Sequence, residues 1–272
     1  MTAKSKCIII TAVIMLAVLL CGCRGFKTAQ KELPYLTIGS DEYEPYNYID
    51  GHGNHTGIDV ELAQEVCRRI QRSPRFVTIK WDDKDGYLEK GEVDCLWGSF
   101  SMNGRENDYT WAGPYMYSRQ VVVVHGDSDI QRLEDLEGKK VSVQSSTKPE
   151  EIFLDDAGNN GVPRVKNVYC LVGIDEVFAA LRKGYVDACA GQEISLRTYM
   201  DEADEDYRTL DKPLMVSKLG VAFSKNSAGT LAKEVDSALR AMEGDGTTER
   251  ILKKYGTDFQ SAEGGVAADE NR

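Results

Sequence analysis

The stretch Leu36–Ile70, LTIGSDEYEPYNYIDGHGNHTGIDVELAQEVCRRI, places a strand, a polar loop and a helix in that order. Leu36 and Ile38 alternate ahead of Gly39, which reads as a short buried strand, and its carboxyl end releases the chain into Ser40, Asp41, Glu42 and Tyr43. Open α/β sheets bind ligands at such strand ends. Beyond the turn-rich residues 50–57, Asp59 is expected as an N-cap, and Leu62, Ala63, Val66, Cys67 and Ile70 share one helical face.

Three pieces of this stretch act as a signature: strand-Gly-Ser-Asp, then Tyr43-Glu44-Pro45-Tyr46, then Gly57-Ile58-Asp59-Val60-Glu61-Leu62-Ala63. At this spacing they resemble the first third of the family 3 extracellular solute-binding proteins, receptors that feed polar amino acids to ABC importers. The resemblance implies an α/β chain of the periplasmic-binding-protein type 2 fold. Each of its two lobes is then a mostly parallel sheet flanked by helices, with the ligand cleft between the lobes. The implied division is residues 35–118 with 219–258 for lobe 1 and 119–218 for lobe 2, followed by a disordered tail, 259–272.

The chain of 272 residues, 42% of them hydrophobic, is long enough for one large or two modest domains. Its net charge of −11 argues against a nucleic-acid partner, because neutralising phosphates takes a basic surface. Lys4 and Lys6 precede an apolar run of thirteen residues, Ile8–Leu20, which fits the core of an export signal and is too short for an ordinary membrane span. Residues 1–22 are therefore expected to be a signal peptide. The run ends Leu20-Cys21-Gly22-Cys23, which resembles the bacterial lipobox. Cleavage after Gly22 suits Cys23 as the lipidated residue, because Leu20 is a poor residue to cut after. Residues 23–34 then form a tether that anchors the protein by lipid to the outer face of the cell membrane, or in the periplasm of a cell with an outer membrane.

Of the seven cysteines, Cys67, Cys95, Cys170 and Cys189 remain in the body of the mature chain. They could pair in three ways, but their apolar surroundings read as buried free thiols, and no spacing suggests zinc. The strongest clue to architecture is an internal echo: Leu88-Glu89-Lys90-Gly91-Glu92-Val93-Asp94-Cys95 recurs as Leu181-Arg182-Lys183-Gly184-Tyr185-Val186-Asp187-Ala188. Both copies follow a helical pattern and run into a strand, which points to two similar lobes rather than a solenoid period. Strands are expected at 76–81, 93–97, 120–124, 140–144, 165–170, 186–190 and 214–223. Helices are expected around Tyr87, at 133–136, 175–182, 231–242 and 248–255. Thr147, Pro149 and Glu150 form a capping-box pattern that aims a helix start at the cleft.

No hydrolase elbow, zincin motif or Walker loop is present, His52 and His55 have no third ligand, and the acidic run 201–206 lacks the order of a calcium loop. Arg105, in a loop of small residues after a strand, offers a planar donor fork for a carboxylate. The resemblance gives that role to Arg105, assisted by the backbone at Ser146 and Thr147 from the other lobe. It also implies that Tyr43 and Trp81 sandwich the ligand's side chain and that Asp41 meets a cationic one. By the same resemblance the Ser99 hydroxyl touches the ligand, with Gly98 standing where a serine is usual. The family's usual aspartate for an α-ammonium is replaced by Gln192, followed by Glu193, so either Glu193 substitutes or the ligand lacks a standard α-ammonium. The expected function is a lipid-anchored, monomeric receptor without cofactor, metal or catalytic residue. It closes on a small polar solute, an amino acid, and hands it to an ABC permease and ATPase. The alternative is an enzyme of the same fold, such as a cyclohexadienyl dehydratase using Glu193 as an acid.

Overall fold

The computed structural model describes residues 32–155, 161–225 and 229–257. The expected export signal, Cys23, most of its tether and the tail lie outside these residues. In chain order the strands are β1 (Tyr35–Ser40), β2 (Tyr48–Ile49), β3 (His55–Thr56), β4 (Ser73–Thr78), β5 (Cys95–Leu96) and β6 (Thr110–His125). They continue with β7 (Lys140–Gln144), β8 (Asn167–Leu171), β9 (Ala188–Gln192), β10 (Tyr207–Thr209) and β11 (Met215–Phe223). The helices are α1 (Ile58–Arg69), α2 (Lys84–Glu89), α3 (Lys148–Leu154), α4 (Ile174–Arg182), α5 (Glu193–Asp201), α6 (Gly229–Gly244) and α7 (Thr247–Lys254).

Nine strands join in one sheet of order β4-β1-β5-β11-β6-β9-β7-β8, with β10 added on β6. The order is a palindrome of roles. β1 runs parallel between β4 and β5, β7 runs parallel between β8 and β9, and the long antiparallel pair β11 and β6 links the two triplets. This is the α/β, two-lobed architecture expected, with the linking pair in register at Ser217 with Ser118 and Lys218 with Tyr117.

The echo marks equivalent places in the two triplets. Gly91 and Gly184 each stand at φ 69° just past a helix. Each following aspartate then grips the start of the central parallel strand. Asp94 Oδ2 accepts the Thr37 N–H at 2.7 Å and Asp187 Oδ2 accepts the Lys140 N–H at 2.7 Å. In return the Asp94 and Asp187 N–H groups donate to the carbonyls of Thr37 and Lys140. Packing follows the same division. Val122, Val124, Val141, Val143, Ala188 and Ala190 share one core, Ile79, Trp81, Leu88, Leu96 and Phe100 another, and a larger cluster from Leu36 to Leu252 runs through both. A large side chain wholly buried this way contributes about 1.5–3 kcal/mol.

Several local expectations change. Asp59 is not the N-cap of α1. Gly57 holds that place with φ 121°, where a Cβ would stand 2.4 Å from the Tyr46 carbonyl oxygen, so only glycine fits. Asp59 is instead buried, 2% exposed. The strand predicted to reach residue 81 ends at Thr78, and Trp81 opens a 3-10 turn. Cys67, Cys95 and Cys189 are buried free thiols, but Cys170 is exposed, on the edge strand β8.

Candidate functional site

A cleft at the strand ends of both triplets is lined by Asp41, Tyr43, Trp81, Gly98, Ser99 and Arg105 from the first and by Ser146, Thr147 and Gln192 from the second. Nine of the ten residues anticipated from sequence thus meet at one place. The lining also includes Phe100, Ser101, Gln120, Gln144, Lys148, Pro149, Ala190 and Gly191. The free volume among them is about 30 Å³, enough for a water or two. The walls therefore stand almost in contact.

Direct bonds cross between them. Gln144 Nε2 donates to Asp41 Oδ2 at 2.6 Å, the Gln192 N–H donates to the Tyr43 hydroxyl at 3.3 Å, and Gln192 Nε2 donates to the Ser99 carbonyl at 3.4 Å. The Ser195 hydroxyl donates to the Glu44 carbonyl.

The first wall is built by the ends of β1 and β5. β1 delivers Asp41 and Tyr43, and the loop after β5 delivers Gly98 to Arg105. Gly98 permits the two strand ends to close up, since a Cβ there would lie 2.3 Å from Ser40 Oγ. Ser99 adopts φ 45°, a left-handed conformation costly for a residue with a Cβ, and its N–H donates to the buried Asp59 Oδ2 at 2.7 Å. Asp59 is thus a buried buttress of the cleft loop. Burial pushes its carboxyl up to about 7, against the lowering effect of the Ser99 N–H. Asp41 keeps part of its surface open to solvent while its carboxylate turns inward, and desolvation raises it to about 6, opposed by the Gln144 bond.

Aromatic surface dominates this wall. Trp81 meets Phe100 edge-on, with centroids 5.0 Å apart, and Tyr43 packs 6.0 Å from Tyr46. Each ring is also core, 7% and 5% exposed, so the two readings of these aromatics, core and cleft, coincide. The Arg105 guanidinium lies 5.2 Å over the Phe100 ring and donates to the Ser101 carbonyl at 3.3 Å. Its Nη2 meets the Glu151 carboxylate, and Lys148 Nζ meets the same carboxylate.

The second wall is small and polar. Ser146 takes φ 59°, mirroring Ser99, and its N–H donates to Glu150 Oε2 at 2.6 Å. Thr147 is the N-cap of α3 as expected, but its hydroxyl donates back to the Gln144 carbonyl at 2.6 Å and Glu150 reaches Ser146 instead of Thr147, so the capping box does not form as drawn.

Glu193 is the anticipated residue that does not join the cavity. It begins α5 one position past the strand end, on the side opposite Gln192, and its Oε1 lies 3.2 Å from Arg119 Nη1 and 3.6 Å from Arg197 Nη2. Among the eight lining residues that sequence reasoning did not assign to the site, Gln120, Gln144 and Lys148 are the polar ones with long side chains. Gln144 ends a predicted strand beside the capping pattern, a usable signal. Gln120 begins an apolar run and gives none.

Residues 36–258 match the bacterial extracellular solute-binding proteins, family 3. The chain is 28% identical over 229 residues to the L-cystine-binding protein TcyA of Bacillus subtilis, covering 83% of this chain and 82% of that one. Its fold superposes with a TM-score of 0.75 on an ABC uptake transporter substrate-binding protein from Streptococcus pneumoniae with bound histidine, 23% identical, covering 83% of this chain and 94% of that one. A TM-score of 0.72 at 25% identity relates it to an ancestral amino-acid-binding protein, a precursor of cyclohexadienyl dehydratase, over 81% of this chain and 95% of that one.

Proposed function

Because the chain belongs to the bacterial extracellular solute-binding proteins, family 3, we propose that it closes on an amino acid and delivers it to an ABC permease and its ATPase. The observation that carries this reading is the carboxylate of Glu151 held by Arg105 from the first wall and by Lys148 from the second. Two cations from opposite walls converge where one carboxylate fits. A ligand carboxylate there contacts both lobes in the closed form alone, so its binding favours closure. The aromatic wall of Tyr43, Trp81 and Phe100 supplies the apolar contact for the ligand's side chain.

The lobes in this reading are 35–118 with 219–258 and 119–218. Closure bends β6 and β11 near Ser118–Val121 and Ser217–Gly220. The protein works as a monomer, tethered through a lipidated Cys23 and without catalytic residues. Among the described residues no helix is long and apolar enough to cross a membrane. For an enzyme of this fold Glu193 was the candidate acid, and its pairing with Arg119 directs it away from the cavity. Asp41 is the one carboxylate-bearing residue lining the cavity.

A thermal-shift screen of the twenty amino acids beside simple organic acids tests the function. Stabilisation by one or a few amino acids is expected, and none by any amino acid overturns the reading. Prephenate and arogenate in the same plates, followed for aromatic product, test the enzymatic alternative. Mass spectrometry of the mature N-terminus tests the lipid on Cys23; an unmodified form starting elsewhere removes that claim.

A further inference from the structure

One face of the sheet changes character where β6 and β9 reach the cleft. Deeper in the second triplet this stripe is apolar, with Val122 and Val124 from β6 and Ala188 and Ala190 from β9 fully buried together. Side chains repeat on one face every second residue, so the next members of the stripe are Gln120 and Gln192. They are register partners across the antiparallel pair, each is 3% exposed, and both line the cleft cavity. Register partners hold their side chains side by side, with Cβ atoms about 5 Å apart.

Both amides are anchored through nitrogen. Gln120 Nε2 donates to Ser217 Oγ at 3.2 Å and Gln192 Nε2 donates to the Ser99 carbonyl at 3.4 Å. A carbonyl can only accept, which fixes the nitrogen end of Gln192. Both amide oxygens are buried, and neither accepts a hydrogen bond from the protein. Buried carbonyl oxygens are almost always met by a donor, because leaving one unmet forfeits its solvation with no return. Two such oxygens, on cross-strand partners that line one cavity, can be met by one donor group that serves both.

We propose that Gln120 Oε1 and Gln192 Oε1 form a paired acceptor that receives one ligand nitrogen carrying at least two N–H bonds, which makes Gln120 a specificity-determining residue. The inference rests on the amino-acid reading above and deepens it: Arg105 and Lys148 take the carboxylate, and the glutamine pair takes the amine. The acceptors are neutral, since Glu193 is turned to Arg119, so the pair reads the number of N–H bonds rather than a positive charge. A 2-hydroxy acid of the same shape brings one donor and leaves one oxygen unmet. A site built for hydrogen bonding rejects such an analogue far more strongly than an apolar pocket rejects a missing methylene.

The test is calorimetry with the amino acid that gives the largest thermal shift and with its 2-hydroxy analogue, on the wild type, Gln120→Met and Gln120→Glu. The wild type is expected to prefer the amine by at least about tenfold, Gln120→Met by less than about threefold, and Gln120→Glu, which keeps an acceptor, by at least as much as the wild type. The preference is a ratio within one preparation, so partial misfolding of a variant does not move it. An unchanged preference in Gln120→Met, with amino acids still bound by the wild type, overturns the paired acceptor and leaves the function standing. A wild type that binds no amino acid overturns the function first and this inference with it.

Discussion

The triplets β4-β1-β5 and β8-β7-β9 share strand order, direction, the helix-to-strand glycine turn and the aspartate that clamps the central strand, yet their cleft edges are chemical opposites. The first ends in Tyr43, Trp81, Phe100 and Arg105, and the second in Gln144, Ser146, Thr147 and Gln192. Each edge includes one serine in the left-handed conformation, Ser99 at φ 45° and Ser146 at φ 59°. What repeats is a left-handed serine whose N–H is taken by a carboxylate of its own half, Asp59 for Ser99 and Glu150 for Ser146. What differs is the surface offered: the first wall supplies area and a guanidinium, the second supplies hydrogen-bonding groups and Lys148. A scaffold duplicated in this way binds an asymmetric ligand because the loops, which carry no packing duty for the repeat, were free to diverge.

The comparison breaks most readily at the two cations. Arg105→Ala is expected to weaken amino-acid binding by about 3 kcal/mol, since it leaves a desolvated carboxylate half-paired, whereas Lys148→Met removes a single point charge and should cost about 1 kcal/mol. Calorimetry on both variants reads the difference, and equal losses would mean that the walls contribute alike. Next in size, Trp81→Ala should weaken binding by about 2 kcal/mol through lost apolar contact. Because this ring is also core, the melting temperature should fall as well. Unchanged affinity with a lowered melting temperature would assign Trp81 to packing alone.

Where the triplets agree, the effects should agree. Asp94→Ala and Asp187→Ala each remove a carboxylate that accepts one backbone N–H at 2.7 Å, and each is expected to cost about 1 kcal/mol in urea denaturation. A large inequality between them would show that the repeat is one of form without shared energetics. A pH dependence belongs to the first half only. Asp59 at about 7 and Asp41 at about 6 both sit above the ordinary 3.8, burial being the main cause. The folded protein then retains protons that the unfolded chain releases from about pH 4 upward, so stability falls as pH rises from about 4 to about 7. Melting temperature should drop by several degrees over this range, and Asp59→Asn should flatten the profile.

Much of this was legible in the sequence. The strand Lys140–Gln144 and the 3-10 turn Leu133–Leu136 fall where alternation and spacing put them, and the echo at Leu88 and Leu181 reported two equivalent α/β units correctly. Most residues that line the cleft were anticipated through the family resemblance; the residues alone gave the strand end that releases the chain into Asp41 and Tyr43, and the loop of small residues that holds Arg105. Three things escaped for physical reasons. Asp59 looks like a cap in sequence, but the backbone at Gly57 takes a conformation that only glycine tolerates, and the carboxylate is drawn inward to Ser99. Glu193 lost the cleft to Gln192 because one residue of offset at a strand end reverses the side. Gln120 is hidden at the start of Gln120–Val124, where its partner across the sheet, not its neighbours in the chain, decides what it does.

The central pair β11 and β6 also sets the order in which the chain can be finished. β5 borders β11 through Leu96 with Ala222 and Cys95 with Phe223, partners that emerge from synthesis far apart. A nascent chain that has completed β1, β4 and β5 therefore still exposes a bare sheet edge, and no amount of local structure closes it until residue 223 arrives. Non-local pairing of this kind slows folding. The amino-terminal half of the sheet therefore stays open at that edge until its last strand has been made.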